Sequence, residues 1–401
     1  MKLFEGLRVL DVAGYIAGPG AATILADFGA DVVKIEMPGE GDSFRAVFRN
    51  ANLAYSEHNY LWMQVDRSRR GLALDLKQPD AQTVLHRLVE QADVLITNHP
   101  LPLRPRLGLA WDQLRDINPR LIYASLTGYG ECGAEKDKAG FDATTYWARS
   151  GLADLTRPDP DGPPANPANG LGDQPTAVSL YAAIVTALYR RERTGQGGYV
   201  ATSLLANGAW ANAMAIQGAL AGGEIVYRQP RDAPRNALTN FYRCRDGRWF
   251  ILSLLSEARS WEPLTRVLGT PHLLDDERFA TPEARRANAV QLVAQMDLAF
   301  RARDSAQWSS LFEAAGLTVG VVARSGDAVE DAQMHAIGVL VPGDGIPGTG
   351  LTVSSPIELE GEHKVHPRAA PSVGQHSDEV LREAGYGPSE IAHMRAAGWV
   401  A

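Results

Sequence analysis

The feature that most constrains the fold is a strand–helix–strand pattern at the amino terminus. Residues 7–12 (Leu-Arg-Val-Leu-Asp-Val) have the apolar character of a buried strand, a helix follows from Gly18 to about Phe28, and residues 32–35 form a second strand. Such a βαβ unit requires two parallel strands joined by a right-handed crossover. The chain therefore predicts an α/β fold with a Rossmann-like parallel sheet.

Further strands are predicted at residues 72–76, 93–97 and 120–126. Ligands of open α/β sheets bind at the carboxyl ends of strands, so Asn98 and His99 are predicted to lie at a site. The amino-terminal glycines form neither a dinucleotide-binding loop nor a Walker A loop, because Gly-x-Gly-x-x-Gly and Gly-Lys-Ser/Thr are both absent. A nicotinamide enzyme or a nucleoside triphosphatase is therefore not favoured.

The length of 401 residues predicts about two domains. After Gly222 the sequence becomes polar and proline-containing, and a hairpin pattern follows. We therefore expect a smaller α+β domain whose chain then returns to the large one. The predicted boundaries are 1–221 for the amino-terminal part of the large domain, 222–239 for a linker, 240–325 for the small domain and 326–401 for the return and the carboxyl-terminal tail.

The composition argues against several classes of binding partner. The net charge of −8 and the lack of a basic arm make nucleic acid an unexpected partner. Cys132 and Cys244 form neither a disulfide framework nor a metal-ligand spacing, so we expect a reducing, cytoplasmic setting and no metal site. No window approaches the roughly 18 uninterrupted apolar residues of a membrane span, so no membrane association is expected.

One carboxylate, Asp173, is a candidate catalytic group. A glycine-rich turn over residues 168–172 leads to Asp173, and a helical pattern follows over residues 177–193. Asp173 is predicted to be the N-cap of this helix, with Pro175 at an early helical position. The helix dipole favours negative charge there, so we expect Asp173 to be ionised near neutrality and able to act as a nucleophile. A Gly-Asp-x-Pro helix start is more often an ordinary cap, and the local sequence leaves both interpretations open.

A series of short motifs connects the chain to a known family. In order along the sequence they are Leu7-Arg8-Val9-Leu10-Asp11, Ala17-Gly18-Pro19, residues 27–36 (Asp-Phe-Gly-Ala-Asp-Val-Val-Lys-Ile-Glu), Pro38-Gly39-x-Gly41-Asp42, Leu74-Asp75-Leu76-Lys77, Ala92-Asp93-Val94, Leu107-Gly108-Leu109, Gly128-Tyr129-Gly130, Phe141-Asp142 and Arg193-Thr194-Gly195-x-Gly197. No single motif is decisive, but their order and spacing are specific. The sequence resembles the class III (family III) CoA-transferases, a group that includes formyl-CoA:oxalate and carnitine CoA-transferases and the related α-methylacyl-CoA racemases.

The resemblance implies a function and an assembly. Asp173 matches the family nucleophile, and the substrates would be an acyl-CoA thioester and a small carboxylic or dicarboxylic acid, with no permanently bound cofactor. The family forms an interlocked homodimer of two ring-like chains. The positions that match coenzyme A contacts are Ala17, Leu74, Lys77, Asn98 and Arg106, together with His99, where relatives often carry an aromatic residue.

Several positions depart from the family pattern. Met37 replaces an arginine used near the nucleotide, and Lys34 or Arg45 would be substitutes for it. Ile16 stands where oxalate-specific relatives have glutamine, which argues against oxalate as the acceptor. Phe141 stands where racemase-type relatives have histidine, and racemisation needs two acid/base groups.

Two alternatives remain beside CoA transfer, namely an α-methylacyl-CoA racemase and a non-catalytic acyl-CoA-binding protein. The acceptor acid also stays open. Arg149, Arg231 and Arg235 are available to bind a second carboxylate, although each has the character of a surface residue.

Overall fold

The computed structural model describes residues 2–401, and its centre is a six-stranded parallel sheet. The strand order is β3-β2-β1-β4-β5-β6, and each neighbouring pair is parallel. This confirms the predicted α/β class. The strands are β1 (Arg8–Asp11), β2 (Asp31–Glu36), β3 (Arg70–Ala73), β4 (Val94–Thr97), β5 (Ile122–Thr127) and β6 (Gly198–Ser203).

Helices cover both faces of this sheet because successive strand residues point to opposite sides. In β1, Val9 belongs to the apolar core shared with α1 and α7, whereas Leu10 belongs to the core under α4 and the carboxyl-terminal helices. The helices up to residue 223 are α1 (Ala17–Asp27), α2 (Phe44–Val47), α3 (Tyr60–Asp66), α4 (Pro79–Val89), α5 (Trp111–Leu114), α6 (Leu152–Leu155), α7 (Asp173–Thr194), α8 (Leu204–Ala211) and α9 (Ala213–Leu220), with a 3-10 helix at Leu101–Leu107 and a π-helix at Ala143–Arg149.

The chain divides into two compact units. The larger comprises the chain up to Leu152 together with Asn166–Gly223 and Ala332–Ala401, and the smaller comprises Ala153–Ala165 and Glu224–Asp331. In the smaller unit an antiparallel sheet of order β7-β8-β9 packs on helices around an aromatic core that includes Phe300. Its elements are β7 (Phe241–Arg243), β8 (Trp249–Leu252), α10 (Glu257–Leu268), α11 (Pro282–Ala287), α12 (Ala289–Phe300), α13 (Ser305–Ala314) and β9 (Val319–Val321), with 3-10 helices at Pro271–Leu274 and Ser325–Glu330.

The carboxyl-terminal part of the larger unit lies against β3. An isolated bridge pairs Leu74 with Val400, and the Asp75 amide donates to the Trp399 carbonyl at 2.9 Å. The predicted strand at residues 72–76 therefore ends early, since its backbone turns to the tail. The elements of this part are α14 (Ala332–Ala336), β10 (Leu340–Pro342), β11 (Leu351–Val353), α15 (Ser377–Glu383) and α16 (Pro388–Ala396).

The helical segment that follows β6 is divided in two. Asn212 separates α8 from α9 with φ −95° and ψ 12°, and its side-chain amide donates to the Ser150 carbonyl at 2.9 Å. The sequence analysis also missed α2 and α3, which lack a long apolar pattern. Across residues 2–401, no helix has both the length and the apolar character that a bilayer crossing requires.

Candidate active site

The site is built where the strand order reverses, between β1 and β4. Asn98, directly after β4, makes two hydrogen bonds with the backbone of Gly14: its carbonyl oxygen accepts from the Gly14 amide and its amide nitrogen donates to the Gly14 carbonyl, both at 2.8 Å. The loop between β1 and α1 is thereby fixed to the carboxyl end of β4. This is the place where open α/β sheets bind ligands.

Asp173 lies at the first residue of α7, and the N-cap is Gly172. The sequence prediction was therefore wrong by one residue, and the Asp173 side chain does not cap its own helix. Gly172 is required by packing: a Cβ at this position would lie 2.5 Å from the ring of Tyr146. Gly170 adopts a positive φ of 75°, which favours glycine in the turn. The glycines therefore allow the turn to place Asp173 at the helix start.

The electrostatics of Asp173 differ from the expectation that it is ionised near neutrality. Partial burial raises its pKa from 3.8 to about 7, and the nearby carboxylate of Asp142 raises it further in the same direction. Asp142 is close because its Oδ2 accepts a hydrogen bond from the Gly172 amide at 3.4 Å. Near neutral pH, Asp173 is therefore divided between its protonated and ionised forms.

This pKa predicts a pH profile. Only the ionised carboxylate is a nucleophile, so kcat/KM for the acyl-CoA donor should rise with pH through about 7 and level off above it. Asp142→Asn removes the neighbouring negative charge and should move the rising part of the profile to lower pH. Burial should still keep the pKa of Asp173 in this variant above 3.8. Initial rates between pH 5 and 9 measure both profiles. If the rising part of the profile lay at the same pH in both proteins, Asp142 would not be the charge that raises the pKa of Asp173.

Of the other residues predicted to contact coenzyme A, Ala17 and Leu74 are buried, whereas Lys77 and Arg106 are exposed. Ala17 is buried at the first turn of α1, beside the Gly14 loop. Leu74 is only 1% exposed, and its backbone amide donates to the Glu36 carbonyl at 2.8 Å. Lys77 and Arg106 are exposed, and the Gln82 side-chain amide connects their segments by donating to the carbonyls of Leu76 at 2.9 Å and Arg106 at 2.8 Å. Neither side chain has an ion-pair partner within residues 2–401, so two cations flank one surface.

His99 is partly buried next to Asn98. Burial lowers its pKa, and the positive charges of Lys34 and Arg104 add to this effect. Its backbone carbonyl accepts from Nε of Arg104 at 2.8 Å. His99 therefore presents a neutral ring at neutral pH, chemically closer to the aromatic residue of relatives than to a cation.

Lys34 and Arg45 do not replace the missing arginine. Lys34 is fully buried, where its ammonium donates to the Ala13 carbonyl and pairs with Asp42 at 2.9 Å. Arg45 forms a two-pronged ion pair with Glu36 at 2.7 and 2.8 Å. Both cations already have buried or partly buried partners, so the substitution expected from the sequence is wrong. At the end of β2, Met37 is 36% exposed and carries no charge.

The sequence analysis missed the network that holds the loop between β1 and α1. Asp11 Oδ1 accepts from the Ala13 amide at 3.0 Å, and Asp42 Oδ1 accepts from the Tyr15 amide at 3.4 Å. Tyr15 has a φ of 64°, which is uncommon for a bulky residue. The signal in the sequence was Asp11 itself, a charged residue at the end of an apolar strand.

Among residues 2–401, no ion pair joins Asp173 to one of the three arginines considered for a second carboxylate. Arg149 is exposed, 3.6 Å from Glu135, and Arg231 pairs with Asp297 at 2.7 Å. Arg235 is exposed in the smaller unit.

The fold and site define an α/β protein with a carboxylate nucleophile candidate at a helix start. A model of CoA-transferase family III matches residues 4–377. The (R)-2-hydroxy-4-methylpentanoate CoA-transferase of Clostridioides difficile is 32% identical, with 98% of each chain covered. The succinyl-CoA:glutarate CoA-transferase of Mus musculus is 28% identical over 96% of this chain and 86% of its own length. A crystal structure of a CAIB/BAIF family protein from Brucella suis matches with a TM-score of 0.86 and 28% identity, covering 96% of this chain and 99% of that one.

The chain therefore belongs to CoA-transferase family III. It is an enzyme of the CoA-transferase class, and the resemblance found in the sequence is confirmed.

Proposed function

We propose that this enzyme moves coenzyme A from an acyl-CoA thioester to a small carboxylic acid, with Asp173 as the covalent nucleophile. The observation that carries the proposal is the position of Asp173: a partly buried carboxylate at the start of the 22-residue helix α7. A pKa of about 7 keeps a large fraction ionised at neutral pH, and partial desolvation makes the ionised form more reactive.

The reaction proceeds in four displacements that need no external oxidant or proton donor. An Asp173 oxygen attacks the thioester carbonyl; a C–O bond forms, the C–S bond breaks, and coenzyme A leaves as thiolate. The thiolate then attacks the Asp173 carbonyl carbon of this mixed anhydride, which releases the donor acid and leaves an aspartyl-CoA thioester. The acceptor carboxylate attacks that thioester, the C–S bond breaks, and a second anhydride forms as the thiolate leaves again. The thiolate finally attacks the acceptor's acyl carbon and restores Asp173.

The start of α7 suits these steps. Each tetrahedral intermediate carries an oxyanion, and the positive end of a helix dipole favours such charge. Asp142, fixed by the Gly172 amide, repels negative charge and thereby keeps the Asp173 carboxylate more basic.

The coenzyme is proposed to lie along the carboxyl ends of β1 and β4. Exposed cations suit the diphosphate and 3′-phosphate, and Lys77 and Arg106 meet that requirement. Asn98 and His99 lie next to the Gly14 loop, and Ala17 begins the helix behind it. Leu74 would contact the coenzyme through its backbone.

An assay of acyl-CoA donors against free acids, followed by mass spectrometry, tests the proposal. We expect at least one pair to give the exchanged thioester in the presence of the enzyme. The same samples in deuterated water distinguish the racemase, since transfer at the carbonyl leaves the α-proton in place. Exposed Phe141 has no ionisable group to move that proton. Enzyme-dependent α-deuteration without exchanged thioester would contradict CoA transfer, and binding without either reaction would indicate an acyl-CoA-binding protein.

We propose that the chain works as an interlocked homodimer in the cytoplasm. Helix α9 is largely apolar in sequence and has no buried residue. Its Met214 and Leu220 are 91% and 75% exposed, and Trp210 on α8 is 81% exposed. Large exposed apolar side chains on neighbouring helices are typical of a subunit interface. The use of only two cysteines supports a reducing compartment.

The dimer proposal predicts a mass of twice 43.3 kDa in sedimentation. Because interlocked chains separate only by unfolding, this mass should persist on dilution to nanomolar concentration. Leu220→Glu should lower the dimer recovered after refolding from urea at least about tenfold, since it introduces a charge into the apolar face. The matched control is Leu298→Glu on α12, where a leucine is 65% exposed. A folded monomer at 43.3 kDa would contradict the proposal.

A further inference from the structure

We infer that the acyl pocket beside Asp173 prefers acids with an apolar branched or aromatic chain over dicarboxylic acids of similar length. The inference rests on the proposed function, because it concerns the acyl group that Asp173 attacks. It goes beyond that function by naming the substrate class and the side chains that select it.

An exposed aromatic pair lies close to the turn that carries Asp173. The rings of Tyr15 and Phe141 meet edge to face, with centroids 5.7 Å apart and an interplanar angle of 74°. They are 41% and 56% exposed. Phe141 directly precedes Asp142, whose carboxylate lies 3.4 Å from the Gly172 amide. The aromatic pair is therefore connected to the turn of Asp173 through the hydrogen bond between Asp142 and Gly172.

A second apolar contribution comes from Ile16 and Leu171, which lie near Gly170. A Cβ at Gly170 would lie 3.5 Å from Cδ1 of Ile16, so the Ile16 side chain reaches this turn. Leu171, two residues before Asp173, is 43% exposed. Together with Tyr15 and Phe141, these side chains form what we call the apolar wall.

The backbone at Tyr15 is held in an unfavourable conformation that supports this wall. A φ of 64° is rare for an aromatic residue, and such conformations persist where the surroundings impose them. Here Asp42 accepts from the Tyr15 amide at 3.4 Å, and Asn98 holds both polar groups of Gly14 at 2.8 Å. A strained residue whose amide and preceding backbone are held by hydrogen bonds, and whose ring is exposed, points to a role in binding.

The charges around the wall disfavour a second carboxylate. Asp142 is the one charged group whose field acts on the pKa of Asp173 among residues 2–401, and it is negative. Arg149, in the same unit as Asp173, lies 3.6 Å from the carboxylate of Glu135. A dicarboxylic acid would place its second charge against apolar side chains and near Asp142. Such burial without a partner is unfavourable, whereas a branched or aromatic chain is stabilised by the same contacts.

Competition between two acceptors of similar length tests the inference. With acetyl-CoA as donor, 4-methylpentanoate and glutarate are supplied at equal concentration, and the two product thioesters are quantified by mass spectrometry. We expect 4-methylpentanoyl-CoA to exceed glutaryl-CoA at least about tenfold, the discrimination that a few apolar groups provide in a pocket. An excess of glutaryl-CoA would overturn the inference while leaving the proposed function intact. Absence of any exchanged thioester with all donors and acids would overturn both.

Variants locate the preference in the wall. Phe141→Ala should lower the ratio of 4-methylpentanoyl-CoA to glutaryl-CoA about tenfold, mainly by raising KM for 4-methylpentanoate. Tyr189→Ala is the matched control, because Tyr189 is 63% exposed on α7 but lies more than four helical turns from Asp173. Circular dichroism checks that both variants are folded. An unchanged ratio in folded Phe141→Ala would show that the wall does not select the acid.

Discussion

Replacing Asp173 with asparagine lowers kcat for CoA transfer by at least about 10⁴-fold, because the amide cannot form the anhydride that the proposed reaction requires. The side chain keeps its shape, so the helix start and the coenzyme contacts remain. Thioester exchange monitored by mass spectrometry measures the loss, and near-ultraviolet circular dichroism verifies the fold. Glu192→Gln is the matched control, since this exposed carboxylate belongs to the same helix. Near-normal turnover of Asp173→Asn would remove Asp173 from the mechanism.

The same variant should be more stable than the natural enzyme at alkaline pH. Burial raises the folded-state pKa of Asp173 from 3.8 to about 7. Stability from the protonated form is therefore fully present below 3.8 and is lost as the pH rises through about 7. Asparagine stays neutral, so the increase in Tm should be larger at pH 8 than at pH 4. The ionised Asp173 thus lowers the stability of the folded protein, as catalytic groups often do.

Removing Arg69 should have the largest effect on stability. Its guanidinium is fully buried and contacts Asp11, Asp66 and the Pro19 carbonyl. Arg69→Met would leave two buried carboxylates without their partner, and loss of one member of a buried ion pair costs about 3–5 kcal/mol in the free energy of unfolding. Urea denaturation measures the change. The loss should shrink at low pH, since burial raises the pKa of Asp66 to about 7 and its protonation removes one of the unpaired charges.

The neighbouring arginine provides the control. Arg70 pairs with Asp31, Glu379 and Glu383, whose side chains are 40%, 53% and 51% exposed. Water screens such pairs, so Arg70→Met should cost no more than about 1 kcal/mol. Equal losses for the two variants would contradict the view that the buried network, rather than charge pairing in general, stabilises the loop between β1 and α1.

The fold was predictable where the sequence pattern is local. Alternating strands and helices determined the parallel sheet, and the βαβ unit from Arg8 to Glu36 was placed to within a residue or two. The break at Asn212 was not predictable, because its cause is a hydrogen bond to Ser150, which is distant in sequence. Likewise, the early end of β3 depends on pairing with the carboxyl-terminal tail.

For the candidate site, the sequence predicts the residue Asp173 but not its electrostatics. Asp173 follows from the glycine turn and the family resemblance. Its pKa does not, since it depends on burial and on Asp142, which approaches only after folding. Lys34 and Arg45 show the same limit: the sequence indicates two cations near the nucleotide position, and only their pairing with Asp42 and Glu36 excludes them as phosphate ligands.

Trapping the covalent intermediate tests the central claim most directly. The enzyme is incubated with acyl-CoA, treated with hydroxylamine or borohydride, digested and analysed by tandem mass spectrometry, with Asp173→Asn treated in parallel. We predict that the modification is found on Asp173 in the natural enzyme and is absent from the variant. Exchange of thioesters with Asp173 unmodified, or with the modification on another residue, would contradict the account.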